Sequence, residues 1–238
     1  MTTNTNTQPY IVSIEGNIGA GKTTLVEELK SRLSLTNDIV FLCEPVDVWE
    51  SVTDTTGQNI LMKFYENPKK YAFPLQMMAL TTRMKSLQDA IHDARKRGAK
   101  IIICERTIDA DYNIFAKMLH TDNTMEDIEF QIYKKIFDEL VEKQQYKLDG
   151  IIYIDADIDV CLNRIEKRNR KGETITLDYL DKCKAFHDNW ILSPKNEPYT
   201  NLLHIKTNEN TQYDSTDPTD IGNTWISQIQ QFLTLYME

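Results

Sequence analysis

Residues 10–24 read YIVSIEGNIGAGKTT, an apolar run followed by a glycine-rich loop that opens a helix. The loop matches the pattern GxxxxGK(S/T) without a mismatch, and its place between a strand and a helix is the context that confirms the pattern. The glycines let successive N–H groups point at phosphate oxygens, and the helix N-terminus adds the positive end of its dipole. The loop therefore predicts binding of a nucleoside triphosphate and leaves the phosphoryl acceptor open. The predicted phosphate-binding residues are Gly16, Asn17, Gly19, Gly21, Lys22, Thr23 and Thr24.

Two of these residues carry the chemistry. Lys22 supplies a positive charge for the β- and γ-phosphates, and the Thr23 hydroxyl can hold Mg²⁺.

Four more short apolar runs follow along the chain. They are continuous rather than alternating and rich in Ile and Val, which is typical of strands buried on both faces of a parallel sheet. Helical stretches separate them, so the sequence predicts βαβ units and an α/β three-layer fold. The runs are IVFLC at 39–43, KIIIC at 100–104, GIIYI at 150–154 and LLHI at 202–205.

Composition bounds the class of protein. The chain has 238 residues with 41% apolar and 26% charged residues, which predicts one globular domain over residues 9–238 after a polar, disordered tail at residues 1–8. The net charge of −9 argues against a general nucleic-acid binder. No basic residue precedes Lys22, and no apolar run approaches the ~20 residues of a membrane span. We therefore expect a cytoplasmic protein without signal, transit or membrane segment.

Two acidic residues follow apolar runs directly. Glu44 and the pair Glu105-Arg106 stand where parallel strands end, which is the edge of the sheet that faces the ligand crevice. The apolar run before Glu44 favours a raised pKa and a general-base role. Glu105 and Arg106 could hold Mg²⁺ and stabilise developing negative charge. The alternatives are an acidic cap at a strand end and a structural ion pair.

One basic segment stands out in this acidic chain. Residues 164–171, RIEKRNRK, contain five basic residues in eight. Arg164 and Arg168 are four residues apart and share a helix face. Arginine forks suit phosphoryl oxygens, so we interpret the segment as a phosphate-binding element. A solvated basic face, or a nuclear-import or nucleic-acid patch, remains as an alternative.

A long helix is predicted from about Pro68 to Arg97. Apolar residues from Phe73 to Ala94 alternate at spacings of four and three, which forms one seam. Pro74 lies inside this stretch, and Gly98 ends it. The seam either packs onto the sheet or forms a helix-bundle dimer interface.

The motifs, in their order, resemble a known family. GNIGAGKTT, EPVDVW, YAFPLQ with Arg83, CERTIDADYNIF and NRIEKRNRKGE are similar to the cellular-type deoxyribonucleoside kinases, the deoxycytidine/deoxyguanosine kinase family, over about residues 10–193. The resemblance implies a P-loop three-layer fold with a five-stranded parallel sheet flanked by helices. It also implies homodimers that use ATP and Mg²⁺ to phosphorylate a small deoxynucleoside at its 5′-hydroxyl.

The resemblance also implies roles for residues. Glu44 matches the base for the 5′-hydroxyl, Arg106 the residue that stabilises charge beside it, and Glu105 with Thr23 the Mg²⁺ site. The matching substrate residues are Tyr65 and Glu173 for the 3′-hydroxyl, Gln76 for the base edge, Phe115 for its face and Trp49 for the pocket wall. The matching donor residues are Arg164, Arg168 and Arg170 in a lid at about 164–175, and Asn208, Glu209 and Asn210 near the adenine.

The chain departs from the family pattern at a few positions. Thr107 stands where the family usually has serine, Asn169 replaces a glycine of the lid, and Gly172 replaces an acid.

Base preference is predicted from Arg83 and Asp111. Arg83 lies seven residues after Gln76, two turns along the same helix face, so it should point into the same pocket. Asp111 could hold it by a forked ion pair. In the resembling family, this pair marks members that use deoxycytidine or deoxypurines rather than thymidine.

Three other functions compete. A thymidylate-type nucleoside monophosphate kinase would need a further arginine for the acceptor phosphate, which Glu44 would repel. A GTPase-like switch would need an Asn/Thr-Lys-x-Asp motif, which the sequence lacks. An inactive homologue is disfavoured because Lys22, Glu44, Glu105 and Arg106 are all present.

Overall fold

The computed structural model describes four stretches of the chain. They are residues 8–33, 37–144, 147–193 and 201–237. Of the predicted tail, residues 1–7 lie outside the described residues.

The described residues form a five-stranded sheet in which every pairing is parallel. Its order is β2-β3-β1-β4-β5, so the strand that precedes the glycine-rich loop lies at the centre. All five predicted apolar runs form strands, and the α/β prediction is confirmed. The strands are β1 (Tyr10–Glu15), β2 (Ile39–Leu42), β3 (Ile101–Glu105), β4 (Gly150–Asp155) and β5 (Asn201–Lys206).

Helices connect and cover the strands. They are α1 (Lys22–Leu33), α2 (Val46–Ser51), α3 (Ile60–Glu66), α4 (Pro68–Arg97), α5 (Ile108–Ala110), α6 (Lys117–Thr121), α7 (Asp127–Gln144), α8 (Ile158–Arg168), α9 (Leu177–Ile191) and α10 (Ile221–Leu233). A π-helical turn, Asp111–Ala116, joins α5 to α6. In the four described stretches, no helix is both long and apolar enough to cross a membrane.

The sheet separates two apolar clusters, as a three-layer fold requires. In β3, Ile101 and Ile103 belong to the cluster that contains α1 and α10, whereas Ile102 belongs to the cluster that contains α4 and α9. Successive side chains of a strand point to opposite faces, so a strand covered on both faces is apolar throughout. This arrangement explains why the predicted strands are continuous apolar runs.

Strand β5 differs from the prediction of burial on both faces. Its residues alternate between partly buried and exposed over most of its length, and Leu202 is exposed. The physical reason is its position at the edge of the sheet, where only one neighbouring strand protects it.

Helix α4 covers the predicted range of residues 68–97 and ends at Gly98, which adopts φ 74°. Leu87, Ile91 and Ala94 of its seam pack against the sheet. Leu80 and Met84 instead pack in a cluster with Tyr133 and Phe137 of α7. The buried part of the seam therefore packs within the chain, which favours the packing interpretation over the dimer interpretation.

Candidate active site

A cavity of about 780 Å³ lies at the carboxyl edge of the sheet, where open α/β folds bind ligands. It brings together residues that are far apart in the sequence, from the glycine-rich loop, the strand ends, α4 and the segment after α8. The predicted site residues that line it are Gly19, Gly21, Lys22, Thr23, Thr24, Glu44, Trp49, Tyr65, Gln76, Arg83, Glu105, Arg106, Asp111, Phe115, Arg164, Arg168, Arg170, Glu173 and Asn210. Gly16, Asn17, Asn208 and Glu209 do not line it.

The glycine-rich loop adopts a conformation that other residues would not tolerate. Gly16 has φ 155° and Gly19 has φ 81°, and a Cβ atom on either would lie 2.4 Å from a backbone carbonyl oxygen. Asn17 lies behind the loop, where its side-chain amide donates to the Leu180 carbonyl at 2.9 Å. Asn17 therefore anchors the loop to α9, which accounts for its absence from the cavity wall.

Lys22 folds back over this loop. Its Nζ donates to the carbonyls of Gly16 at 3.0 Å and Asn17 at 2.9 Å. Burial, reinforced by Arg106, lowers the pKa of Lys22 to about 8, although Glu44 and other acids act in the opposite direction. The ammonium group is therefore held over the loop, where an anionic ligand would stabilise its charged form.

Thr23 and Glu105 meet at the start of α1. The Thr23 hydroxyl donates to Glu105 Oε1 at 2.6 Å. Mg²⁺ prefers oxygen ligands and commonly takes one or two from the protein, with phosphates and waters completing its octahedron. Within the described residues, no group of three or more acidic, His or Cys side chains could hold a metal alone. The donor set therefore fits a metal that arrives with a phosphate ligand.

Glu44 lies among cations rather than in an apolar pocket. Its Oε1 accepts from Arg83 Nη2 at 2.7 Å and lies 3.4 Å from Arg106 Nε. Burial alone would raise the pKa of Glu44, but Arg83, Arg106 and Lys22 outweigh it and lower the value to about 2. The predicted raised pKa is therefore wrong, because the sequence does not show which cations surround the carboxylate.

Arg83 is shared between two carboxylates. Its Nε donates to Asp111 Oδ2 at 2.8 Å, while Nη2 is the group that contacts Glu44. The predicted pairing with Asp111 is present, but its forked geometry is wrong, because only one nitrogen contacts Asp111. Arg83 therefore links Asp111 of the π-helical turn to the carboxylate that follows β2.

The backbone at Arg106 is strained. Its φ is 63°, a left-handed conformation that costs a non-glycine residue about 1–3 kcal/mol. This conformation brings the guanidinium 4.9 Å from the centroid of the Phe115 ring and beside Glu44. The guanidinium covers one face of the ring on which the base is predicted to stack.

Helix α4 forms the part of the cavity wall that contains Gln76 and Arg83. Trp49 Nε1 donates to Thr82 Oγ1 at 2.9 Å, and the Arg83 guanidinium lies 5.1 Å from the Trp49 ring centroid. Gln76 is buried, and its Oε1 has no hydrogen-bond partner within the described stretches. A buried amide oxygen without a partner is costly, so a ligand donor at this point would be favoured.

The lid segment is held by its own ion pairs. Arg168 Nη2 contacts both oxygens of Glu173 at 2.7 and 2.6 Å, and Arg170 Nε lies 3.7 Å from Glu50. Asn169 ends α8 at φ 49°. Asparagine tolerates the left-handed region better than most residues, so it is suited to end a helix in this conformation.

Arg164 and Asn208 have structural partners. Arg164 donates to the carbonyls of Ala20 at 3.1 Å, Thr207 at 2.9 Å and Glu209 at 2.8 Å. The Asn208 side chain contacts the backbone N and the carboxylate of Asp157. Arg164 thus ties the glycine-rich loop to residues 207–209, and of the three predicted adenine-loop residues only Asn210 lines the cavity.

Several residues of the site are not among those predicted from the sequence. Ala79 lines the cavity three residues after Gln76 and four before Arg83, so helical spacing could have identified it. Tyr179 also lines it, and no local pattern signals that. Glu15, the last residue of β1, does not line the cavity but lies fully buried directly before the glycine-rich loop. Burial raises the pKa of Glu15 to about 7 against the opposing charge of Arg106.

The chain is similar to known proteins over most of its length. The sequence model of the family described as deoxynucleoside kinase matches residues 12–231. A probable deoxycytidine kinase of Fowlpox virus (strain NVSL) is 33% identical over 224 residues, covering 94% of this chain and 88% of the viral protein. Deoxycytidine kinase of Homo sapiens is 36% identical over 200 residues, covering 76% of this chain and 75% of the human one. Mitochondrial deoxyguanosine kinase of Xenopus laevis is 28% identical over 220 residues, with coverages of 86% and 82%.

Proposed function

The chain belongs to the deoxynucleoside kinase family, and from this premise we propose that it transfers the γ-phosphoryl group of ATP–Mg²⁺ to the 5′-hydroxyl of a deoxyribonucleoside, favouring a purine or cytosine base over thymine. One observation carries the proposal. An ionised carboxylate, Glu44, lies in the same cavity as Lys22 of the glycine-rich loop, and Arg83 and Arg106 hold it there. A carboxylate so placed suits a neutral hydroxyl acceptor.

The donor is proposed to bind along the glycine-rich loop. Its N–H groups and Lys22 contact the β- and γ-phosphates, and Arg168 and Arg170 approach them from the lid. Thr23 and Glu105 would hold Mg²⁺, which when bound neutralises charge on the phosphate oxygens.

Glu44 is proposed to orient the acceptor. With a pKa of about 2 it stays ionised and accepts a hydrogen bond from the 5′-hydroxyl. Phosphoryl transfer passes through a loose transition state, so the hydroxyl proton becomes strongly acidic only as the new O–P bond forms. A weak base suffices at that stage, and Arg106 stabilises the charge that develops beside it. The proton then passes from the hydroxyl to Glu44.

The thymidylate-type kinase is not favoured. Its acceptor carries a phosphate that Glu44 would repel, and Arg83 is already bonded to Asp111 and Glu44. The relatives named above are kinases of deoxynucleosides, and none is a kinase of nucleoside monophosphates.

A panel of acceptors tests the proposed function. Transfer of labelled phosphate from ATP to each of the four deoxynucleosides and to dTMP separates the candidates in one assay. We expect deoxyadenosine, deoxyguanosine or deoxycytidine to exceed thymidine by at least ~10-fold in kcat/KM, which is about 1.4 kcal/mol. Thymidine as the best acceptor would contradict the base preference alone, and dTMP as the only acceptor would contradict the proposed function.

The Arg83–Asp111 pair gives a sharper test of base choice. The double variant Arg83→Met/Asp111→Ala should raise the thymidine share of kcat/KM, because it removes polar groups near the 5-methyl position. Arg83 also contacts Glu44, so the variant should lower turnover on every acceptor, and the ratio between acceptors is the quantity to compare. Arg83→Met alone leaves a buried Asp111 unpaired and should lower Tm more than the double variant does. An unchanged ratio would remove the pair from base recognition.

We also propose that the enzyme is a homodimer, as the family resemblance implies. The α4 seam is largely covered within the chain, so another surface is needed. Ile128 and Ile132, one turn apart on α7, are 64% and 43% exposed and offer apolar area to a second copy. Light scattering at micromolar concentration should give about twice 27.7 kDa, and Ile128→Asp/Ile132→Asp should lower it. Val52→Asp, at an exposed apolar residue outside α7, should leave the mass unchanged. A wild-type mass near that of the monomer would contradict the proposal.

A further inference from the structure

Glu15 is a buried carboxylate to which the proposed mechanism gives no role. It ends β1, directly before the glycine-rich loop, and its side chain is inaccessible to solvent. Its Oε1 accepts two hydrogen bonds from Thr107, from the backbone N at 3.1 Å and from Oγ1 at 3.0 Å. Its Oε2 has no hydrogen-bond partner among the residues that the structure describes. Burial of a carboxyl group costs free energy unless hydrogen bonds or opposite charges compensate it, and within the described residues the side-chain hydrogen bonds of Glu15 all come from Thr107.

The end of β1 contacts the strained residue Arg106 and the residue that follows it. On one side, Arg106 N donates to the Ile14 carbonyl at 3.1 Å. On the other side, Glu15 accepts hydrogen bonds from the backbone N and the hydroxyl of Thr107. A non-glycine residue keeps a left-handed conformation only where the surrounding structure over-determines it. Two consecutive residues at the end of β1, Ile14 and Glu15, thus hydrogen-bond to the two residues of the turn after β3, Arg106 and Thr107.

The turn decides where the Arg106 guanidinium lies. With φ at 63°, the side chain is 4.9 Å from the Phe115 ring centroid, and its Nε is 3.4 Å from Glu44. If the turn relaxed toward the common backbone conformations, the direction of the Cα–Cβ bond would change and the guanidinium would leave Glu44. The carboxyl group of Glu15 does not line the cavity, and its hydrogen-bonded connection to Arg106 runs through this turn, while its charge also acts on Arg106 and Lys22.

We propose that Glu15 is a positioning residue, which holds Thr107 so that Arg106 stays in its strained conformation with its guanidinium at the reacting oxygen. This inference rests on the proposed function, because it assigns Arg106 the stabilisation of charge in phosphoryl transfer. A group that acts only in the transition state affects kcat and leaves substrate binding nearly unchanged. A side chain that merely fills the core would affect stability instead.

The test compares three variants in the acceptor assay. Glu15→Met removes the acceptor oxygens at similar volume, and we expect kcat to fall by about 10²-fold, the effect of a 1 Å misplacement. Because Arg106 is assigned to the transition state, KM for nucleoside and for ATP should change little. Glu15→Gln keeps a carbonyl oxygen for Thr107 and should recover most of kcat. Ser13→Ala is the matched control, since Ser13 is equally buried in β1 and its hydroxyl has no hydrogen-bond partner in the described structure.

A second pair of variants covers the case in which Glu15→Met does not fold. Thr107→Val removes the hydroxyl from the other side of the contact, together with its cap on the backbone N of Ala110, and should lower kcat, whereas Thr107→Ser keeps both and should restore it. Unchanged kcat in Glu15→Met or in Thr107→Val would overturn the inference, as would losses confined to Tm and KM.

The wild-type measurement separates this inference from the proposed function. A wild-type enzyme that phosphorylates no deoxynucleoside contradicts the proposed function. In that case, the NMR signal of the Arg106 Nε–H group, assigned with Arg106→Lys, still tests the contact. It should shift in Glu15→Met and return in Glu15→Gln, and an unmoved signal would overturn the positioning role.

Discussion

Replacement of Lys22 with alanine is expected to abolish turnover while leaving the fold intact. The Nζ of Lys22 contacts only loop carbonyls of Gly16 and Asn17 within the described residues, so its removal takes little from the core. The same ammonium group is proposed to neutralise the phosphates as charge moves onto the leaving group. Loss of one such electrostatic contact costs at least ~10²–10³ in kcat. Phosphate transfer by the wild type and by Lys22→Ala measures turnover, and far-UV circular dichroism of both proteins measures whether the fold is intact.

Ligand binding provides the control for this variant. ATP with Mg²⁺ should raise the Tm of the wild type and hardly move that of Lys22→Ala, since a ligand stabilises only the state that binds it. The wild-type affinity should also weaken as pH rises through about 8, where free Lys22 loses its proton, whereas the alanine variant lacks this dependence. Equal ATP shifts in both proteins would remove Lys22 from the phosphate site.

The sheet and the phosphate loop could be predicted because their signals are local. A loop such as Gly16–Thr23 needs its glycines at fixed spacing, since a Cβ at Gly16 or Gly19 would collide with a backbone oxygen. A strand covered on both faces, such as β3, must be apolar at every position. The exposure of the edge strand β5 was not predicted, because it depends on which strands lie beside β5 in the sheet.

The electrostatics of the site could not be predicted in the same way. The pKa of Glu44 depends on Arg83, 39 residues away in the chain, and on Arg106. Glu15 and Thr107 are separated by 92 residues, and their contact follows from the pairing of β1 with β3. The motifs predict which side chains lie at the carboxyl edge of the sheet. They do not predict which side chains contact each other there, because those contacts depend on packing between distant parts of the chain.

Glu44→Gln is expected to lower kcat by about 10²–10⁴-fold with nucleoside binding nearly kept. The amide can still accept a hydrogen bond from Arg83 and from the 5′-hydroxyl, but it takes no proton as the O–P bond forms. It also leaves Arg83 and Arg106 with one carboxylate fewer, so the variant removes a negative charge from the site as well as a base. Steady-state kinetics and direct titration with the nucleoside separate the two quantities.

Two further variants distinguish loss of the base from loss of charge. Glu27→Gln neutralises an exposed carboxylate that lines the same cavity, and it should keep kcat near the wild-type value. Glu44→Asp keeps the charge on a shorter side chain, so it should lose less of kcat than Glu44→Gln does if proton transfer matters.

The pH dependence of the rate gives a further test. The pKa of Glu44 is about 2 in the wild type, so protonation of Glu44 should not lower the rate between pH 8 and 5. In Arg83→Met/Asp111→Ala the pKa of Glu44 should rise, because fewer positive charges then oppose the effect of burial. The rate of this variant should therefore fall as the pH is lowered within this range. Full activity of Glu44→Gln at pH 7 would remove Glu44 from the mechanism.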